Sequence, residues 1–298
     1  MYRATSFSQI PEVVKNLLII NGLLFLATIS LETKGIYLRK WLSLHQFQSE
    51  DFMPHQLITH FFMHATWTHL LVNMFALWMF GKILENVWGG KRFLTYYMFT
   101  GLGAAALHLG VIQLQISFLE AKMGIEQINI VVTDGYGALK NNMNFIDDSM
   151  KQLNSLYHTP TVGASGSVFG LLLAFGILFS NTQLRLFTIF LVILLFTFME
   201  TYLNVPIPWP ISLLQDHFLT CIIVLIIISK AIPELANILW HTIPIKAKYF
   251  VAIYGVLEVY LGLNNNPADN VAHFAHLGGM IFGFILLKYW QKDRNTFY

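Results

Sequence analysis

Eight apolar stretches, most of them long enough to cross the hydrocarbon layer of a membrane, constrain this chain more than any other feature. They lie at 13–31, 69–88, 93–113, 162–180, 186–203, 217–232, 249–264 and 273–290. A helix crosses with about 20 apolar residues, in a working range of about 17–25. The shorter runs and those with polar ends suit helices packed inside a bundle, where neighbours satisfy their polar groups. Only 11% of the residues are charged, against about 25% in an ordinary soluble domain. The expected fold class is therefore an all-α polytopic membrane protein. Two polar segments, 32–68 and 114–160, and the turn Val205-Pro206-Ile207-Pro208-Trp209-Pro210 interrupt the runs, and no internal repeat is evident.

The charges that remain give a side to each loop. With the N-terminal end inside, Arg3, Lys15, Lys82, Lys91, Arg92, Arg185, Lys230, Lys246, Lys248, Lys288, Lys292 and Arg294 fall on the cytoplasmic side, and only Lys34, Arg39, Lys40, Lys122, Lys140 and Lys151 fall outside. That asymmetry follows the positive-inside rule, so both ends are expected inside. The first run carries no small-x-small cleavage pattern and is expected to be a retained span. The net charge of +2 is spread along the chain, which sets nucleic-acid binding aside. Cys221, the only cysteine, excludes an intrachain disulfide and a multi-cysteine metal site. The expected location is integral to a membrane, specifically the bacterial cytoplasmic (inner) membrane.

Polar residues inside spans are costly and so mark function. Three groups sit at the starts of spans that run from outside to inside. His69-Leu70-Leu71-Val72-Asn73 places a histidine and an amide one helical turn apart on one face. Gly163-Ala164-Ser165-Gly166 sets a serine between glycines. His273-Phe274-Ala275-His276-Leu277-Gly278-Gly279 opens the last span and continues to Gly283. Since the three spans share a direction, the three groups can meet at one depth. Glycines beside Ser165, and Gly279-x-x-x-Gly283 beyond His276, let two helix backbones approach closely. The strip His276, Gly279, Gly283 is the one expected to touch the serine helix.

Each group also has a purely structural reading. His69 and Asn73 alone are more often interhelical hydrogen-bonding residues, Ser165 alone is a routine small contact residue, and the glycine pair alone is packing. His60, His64, His69, His273 and His276 offer zinc ligands, yet no His-Glu-x-x-His or helix-borne carboxylate accompanies them, and no metal or other cofactor is expected.

Taken in order, Gly163-Ala164-Ser165-Gly166, His69-x-x-x-Asn73 and Ala275-His276-Leu277-Gly278-Gly279 resemble the signature of rhomboid intramembrane serine proteases. The resemblance runs from about Thr59 to Tyr289, with Glu85-x-x-x-Gly89 and the run from Thr59-His60 to His64 in support. It implies a six-helix bundle with its core at about 59–290. It also implies a Ser165 nucleophile, a His276 general base and an oxyanion site formed by His69, Asn73 and the Ser165 backbone N–H. Gly163, Gly166, Phe169, Gly279 and Gly283 support these groups. Phe169 stands where the family commonly has a tyrosine packed on the catalytic histidine; a phenyl ring can stack there but cannot donate a hydrogen bond. His55-Gln56 replaces the family's tryptophan–arginine pair, a departure that bears on loop packing. The implied partners are the bilayer and single-span transmembrane substrates, cut near the outer membrane face.

The chain is expected to form a single membrane domain with two additions. Segment 114–160 is an external insertion in which Phe118, Leu119, Met123, Ile125 and Ile128 are spaced as on one helical face; it reads as an external helix lying on the bilayer, as a cap over the site, or equally as a loop insertion with some helix. Residues 187–242 separate Asn181–Phe187 from Ile243–Tyr249 and read as an inserted two-helix hairpin. Two other classes compete. A proteolytically inactive rhomboid-like protein would bind or escort membrane clients, but such relatives usually lack a serine or histidine that Ser165 and His276 supply. A transporter would show paired broken helices and more buried charge.

Overall fold

The computed structural model describes residues 10–141, 143–187, 242–264 and 272–292. They divide into two compact units, Met1–Ala174 with Ala272–Tyr298, and Phe175–Val271.

In the first unit, α1 (Glu12–Glu32) leads to a short α2 (Leu38–Leu42), then to α3 (Gln56–Thr59), which runs into a 3-10 turn, His60–Phe62. The 22-residue α4 (Trp67–Trp88) contains a π turn at Leu77–Gly81, and the 31-residue α5 (Gly90–Glu120) follows. Two further helices, α6 (Ile125–Lys140) and α7 (Asp148–His158), come next. The serine helix α8 (Ser165–Leu178) and the last helix α10 (His273–Lys292) complete the functional framework. Among the described residues, α1, α4 and α5 are both long and apolar enough to cross a membrane. The protein is thus an all-α integral membrane protein, as the apolar runs imply.

Polar side chains within α1 bond to their own helix: Asn21 Nδ2 donates to Leu17 O at 2.7 Å and Thr28 Oγ1 to Leu24 O at 2.8 Å. This is how a lipid-embedded helix accommodates such residues. Ile19, Ile20, Leu23 and Leu26 face outward from the same helix, as lipid contacts do. The N-terminus of α1 is closed by the buried Glu85 carboxylate of α4, which accepts from Val13 N at 2.9 Å and Val14 N at 2.8 Å. A carboxylate there meets both the unpaired amides and the positive end of the helix dipole. Four residues later Gly89, at φ +76°, makes the turn into α5, which explains the Glu85-x-x-x-Gly89 spacing.

The loop before α4 is organised around the residues that depart from the family pattern. Gln56 is fully buried; its Oε1 accepts from Met53 N at 3.1 Å and His45 N at 3.3 Å, and its Nε2 donates to Asp51 O at 2.8 Å. His55 Nε2 donates to Trp41 O at 2.8 Å. The pair therefore serves as the loop's internal scaffold.

Segment 114–160 departs from the single helical face expected of it. The turn Ala121–Gly124 ends α5 and begins α6, so Phe118 and Ile125 stand exposed while Leu119, Met123 and Ile128 pack against the buried trio Ile116, Val131 and Leu153. The periodicity was imitated by two helix ends meeting at a corner. Asp147 caps α7, its carboxylate accepting from Met150 N at 2.9 Å, and Gly135 of α6 leaves room for the Asn154 side chain of α7.

In the second unit, β1 (Gln183–Phe187) pairs antiparallel with β2 (Thr242–Lys246), Gln183 opposite Lys246 and Phe187 opposite Thr242, and α9 (Ala247–Asn264) follows. The run expected at 186–203 thus begins as strand at its first two residues. Most of that run, all of 217–232 and the proline turn between them lie outside the described residues. The ladder brings the two ends of the insert side by side.

Candidate active site

Ser165 is the first residue of α8, where the extended segment 159–164 turns into helix. That segment is held at both ends. Thr161 and Leu44 exchange backbone hydrogen bonds at 2.8 and 2.9 Å, and Gly163 N donates to His60 O at 2.9 Å. Gly163 has φ +122°, a conformation that side-chain-bearing residues rarely adopt. A Cβ there would lie 2.8 Å from His69 Cε1 and Nε2 and 3.7 Å from Ser165 Oγ. The missing side chain is what lets the His69 imidazole come up beside the serine hydroxyl.

His69 sits in the first turn of α4, whose N-cap Thr66 accepts from His69 N at 3.1 Å. One turn on, the buried Asn73 donates through Nδ2 to His69 O at 2.9 Å. That bond commits one amide hydrogen and fixes the side chain on the His69 face. His64 lies against His69, ring centroids 5.0 Å apart. His64 and His60 both lie outside the spanning helices, and burial pushes their pKa values down, to about 3 and about 4. His60 Nδ1 donates to Gln56 O at 2.6 Å, leaving Nε2 as the acceptor of the neutral ring.

His276 is buried one turn into α10, and Phe169 of α8 stacks on it, centroids 4.0 Å apart and 7° from parallel. The stack replaces the family's tyrosine contact with a purely apolar one. His273 stands 6.3 Å from His276, edge-on. Glycines set two approaches: a Cβ on Gly279 would collide with Gly166 O, between α10 and α8, and a Cβ on Gly166 with Ala104 of α5. Gly283 departs from its expected partner. It receives Tyr96 OH and Thr100 Cγ2, both on α5, and Gly278 rests on Ala104 and Gly103 of the same helix. Helix α5 is therefore the third wall, bonded to α8 by Tyr96 OH donating to Gly170 O at 3.0 Å.

A narrow pocket reaches Ser165 from the α5 side; His60, His108, Thr161 and Ser167 supply its polar lining. His108 Nε2 and Thr161 Oγ1 are 2.8 Å apart, and Ser167 Oγ donates to Tyr97 O at 2.8 Å. None of His108, Thr161 and Ser167 belongs to the three motifs. The only sequence signal for this wall is the run of small residues Gly101-Leu102-Gly103-Ala104-Ala105 in α5.

Ser165, His69 and Gly163 thus meet at one place, and the first turns of α8 and α10, with Phe169 on His276, meet beside it. A family profile described as the Rhomboid domain matches residues 51–229. That span holds His69, Asn73, Ser165 and Phe169; His276 lies beyond it. Rhomboid-like protein 11, chloroplastic, of Arabidopsis thaliana is 44% identical over 50 residues, which cover 17% of this chain and 18% of that protein. The chain spans about a fifth of the length of this curated relative. With the profile matched over more than half of its residues, and the glycine-mediated helix contacts around Ser165 in place, this chain belongs to the rhomboid family.

Proposed function

We propose that this protein is an intramembrane serine endopeptidase that cleaves single-span membrane proteins near the outer membrane face. The observation that supports the reading is the Gly166–Gly279 approach with Phe169 stacked on His276, which holds the serine helix and the histidine helix against each other. Ser165 Oγ attacks the scissile carbonyl carbon as His276 takes the hydroxyl proton; neutral imidazole is matched to that task near pH 7. The new C–O bond leaves the carbonyl oxygen negative. His69, Asn73 and the Ser165 N–H supply hydrogen bonds to it, each worth about 3–4 kcal/mol by the cost of removing such a donor elsewhere. The C–N bond breaks, and His276 returns the proton to the leaving amine. Water then attacks the acyl-enzyme by the same route, and the pocket beside Ser165, with His60, His108, Thr161 and Ser167 in its lining, offers a place for it.

A helical peptide bond in a membrane is shielded by its own hydrogen bonds and by the lack of water. The substrate must therefore unwind locally to reach Ser165, which favours spans weakened near the outer end by small or helix-breaking residues. The basic residues at the α4–α5 turn and the end of α10 support an inside location for both ends of the chain. A fluorophosphonate probe tests the nucleophile directly. The protein should be labelled covalently, and labelling should vanish in both Ser165→Ala and His276→Ala. Equal labelling of the Ser165→Ala variant would reject the assignment, and no labelling of any form would favour the inactive, client-binding reading.

A further inference from the structure

We propose that the corner between α5 and α6 is a membrane-docking element, seated in the outer interface of the phospholipid bilayer through Leu114, Phe118 and Ile125. Three features of the external lobe lead there, none of which depends on whether Ser165 is a nucleophile. First, the lobe leaves apolar side chains in the open: Leu114 is 71% exposed, Phe118 63% and Ile125 74%. These are not a stray patch. Leu102, Ala106, Gly110, Leu114 and Phe118 form an unbroken i, i+4 row of exposed positions that winds along α5, each beside the next, from its spanning part up to the corner.

Second, the length of α5 places the end of that row. From Lys91 to Phe118 the helix rises about 40 Å at about 1.5 Å per residue. The hydrocarbon layer is about 30 Å thick, and about 40–45 Å with the headgroup regions. With Lys91 and Arg92 in one headgroup layer, Phe118 falls in the other. Third, the side chains at the corner are those of an interfacial anchor. Lys122 Nζ lies 3.8 Å over the Phe118 ring, a lysine stem and aromatic face that together suit the boundary between acyl chains and phosphates.

Charge selects the kind of lipid contact. Segment 114–160 carries Lys122, Lys140 and Lys151 against Glu120, Glu126, Asp134, Asp147 and Asp148, so anionic headgroups gain nothing from it. The seat is apolar insertion, indifferent to headgroup charge. The lobe is folded around its own core of Ile116, Val131 and Leu153, and α7 leads through Thr161 to Gly163 and Ser165. Seating the corner therefore fixes the depth at which the serine segment enters the membrane.

Spin-label depth measurements on the full chain in phosphatidylcholine vesicles test this, in a Cys221→Ser background. Ala121→Cys lies at the exposed corner and leaves all three anchors intact; Asp134→Cys lies nine residues beyond Ile125, on the opposite side of α6. The label at 121 should collide more with oxygen than with a water-soluble nickel chelate, and the label at 134 the reverse. Adding Phe118→Ser and Ile125→Ser should move the 121 label toward the nickel-accessible pattern, while phosphatidylglycerol in the vesicles should change nothing. Nickel access at 121 equal to that at 134 overturns the proposal even if the double variant does not fold. Shielding of 121 from both reagents also overturns it, since a protein surface would then cover the corner, and so does a dependence on phosphatidylglycerol.

Discussion

The Phe169 ring and the His276 imidazole lie face to face, 4.0 Å between centroids and 7° from parallel. A phenyl face orients the imidazole by packing alone, so its contribution is geometric. Phe169→Ala should lower kcat several-fold through a loosened His276, with KM little changed. Phe169→Tyr should retain activity, because the stack survives. Cleavage kinetics in detergent micelles check both, and an Ala variant as fast as the parent would show that the stack does not position the base.

Gly279 and Gly163 set the two close approaches at the site. Gly279→Ala places a methyl into Gly166 O, and the helices must part. It should cost about 1–3 kcal/mol in stability, as overpacking does, together with most of the activity. Gly163→Ala strains a backbone at φ +122° and displaces His69. It should reduce kcat more than thermal stability, whereas Gly283→Ala should act on the α5 contact and mainly lower the Tm.

These contacts show what the sequence could and could not convey. Hydropathy located α1, α4 and α5, and the serine, histidine and glycine motifs marked Ser165, His276 and His69, because both signals are local. The partner of Gly283 was not legible: spacing says which face a residue occupies, but the helix that meets that face depends on how three helices cross. The same holds for His108 and Thr161, which pair across 53 positions, and for β1 with β2, separated by the insert. At 118–128 the periodicity misled, since a corner between two helices reproduced the spacing of one.

His60 and His64 are buried and held neutral, with pKa values pushed down to about 4 and about 3. The unfolded chain takes up protons near pH 6.5 that the folded protein refuses until much lower, so stability should fall as pH drops below about 6.5. At pH 5.5 each histidine should cost about 1.4 kcal/mol. Thermal unfolding in micelles should show a Tm that declines from pH 7 to pH 5.5, and less steeply in His60→Asn. A flat profile would mean that these rings titrate normally.

Since Phe187 and Thr242 are partners in one ladder, the insert between them leaves and returns on one side. We expect it to cross the membrane twice, which keeps Ser165 and His276 opening to the same side. In a Cys221→Ala background, an impermeant thiol reagent should reach Ser212→Cys from outside and Thr242→Cys only after permeabilisation. Labelling of both from one side would leave a surface-lying insertion and no crossing.

Cleavage of a single-span model substrate co-reconstituted in liposomes shows whether Ser165 is the nucleophile of a metal-independent protease. The parent protein should cut it, with no change on adding a zinc chelator. Ser165→Ala, folded by its thermal transition, should lose about 10⁶-fold, the order seen when a hydrolase nucleophile is removed. Cleavage retained by the Ser165→Ala variant, or abolished by chelation and restored by zinc, would mean that Ser165 is not the nucleophile.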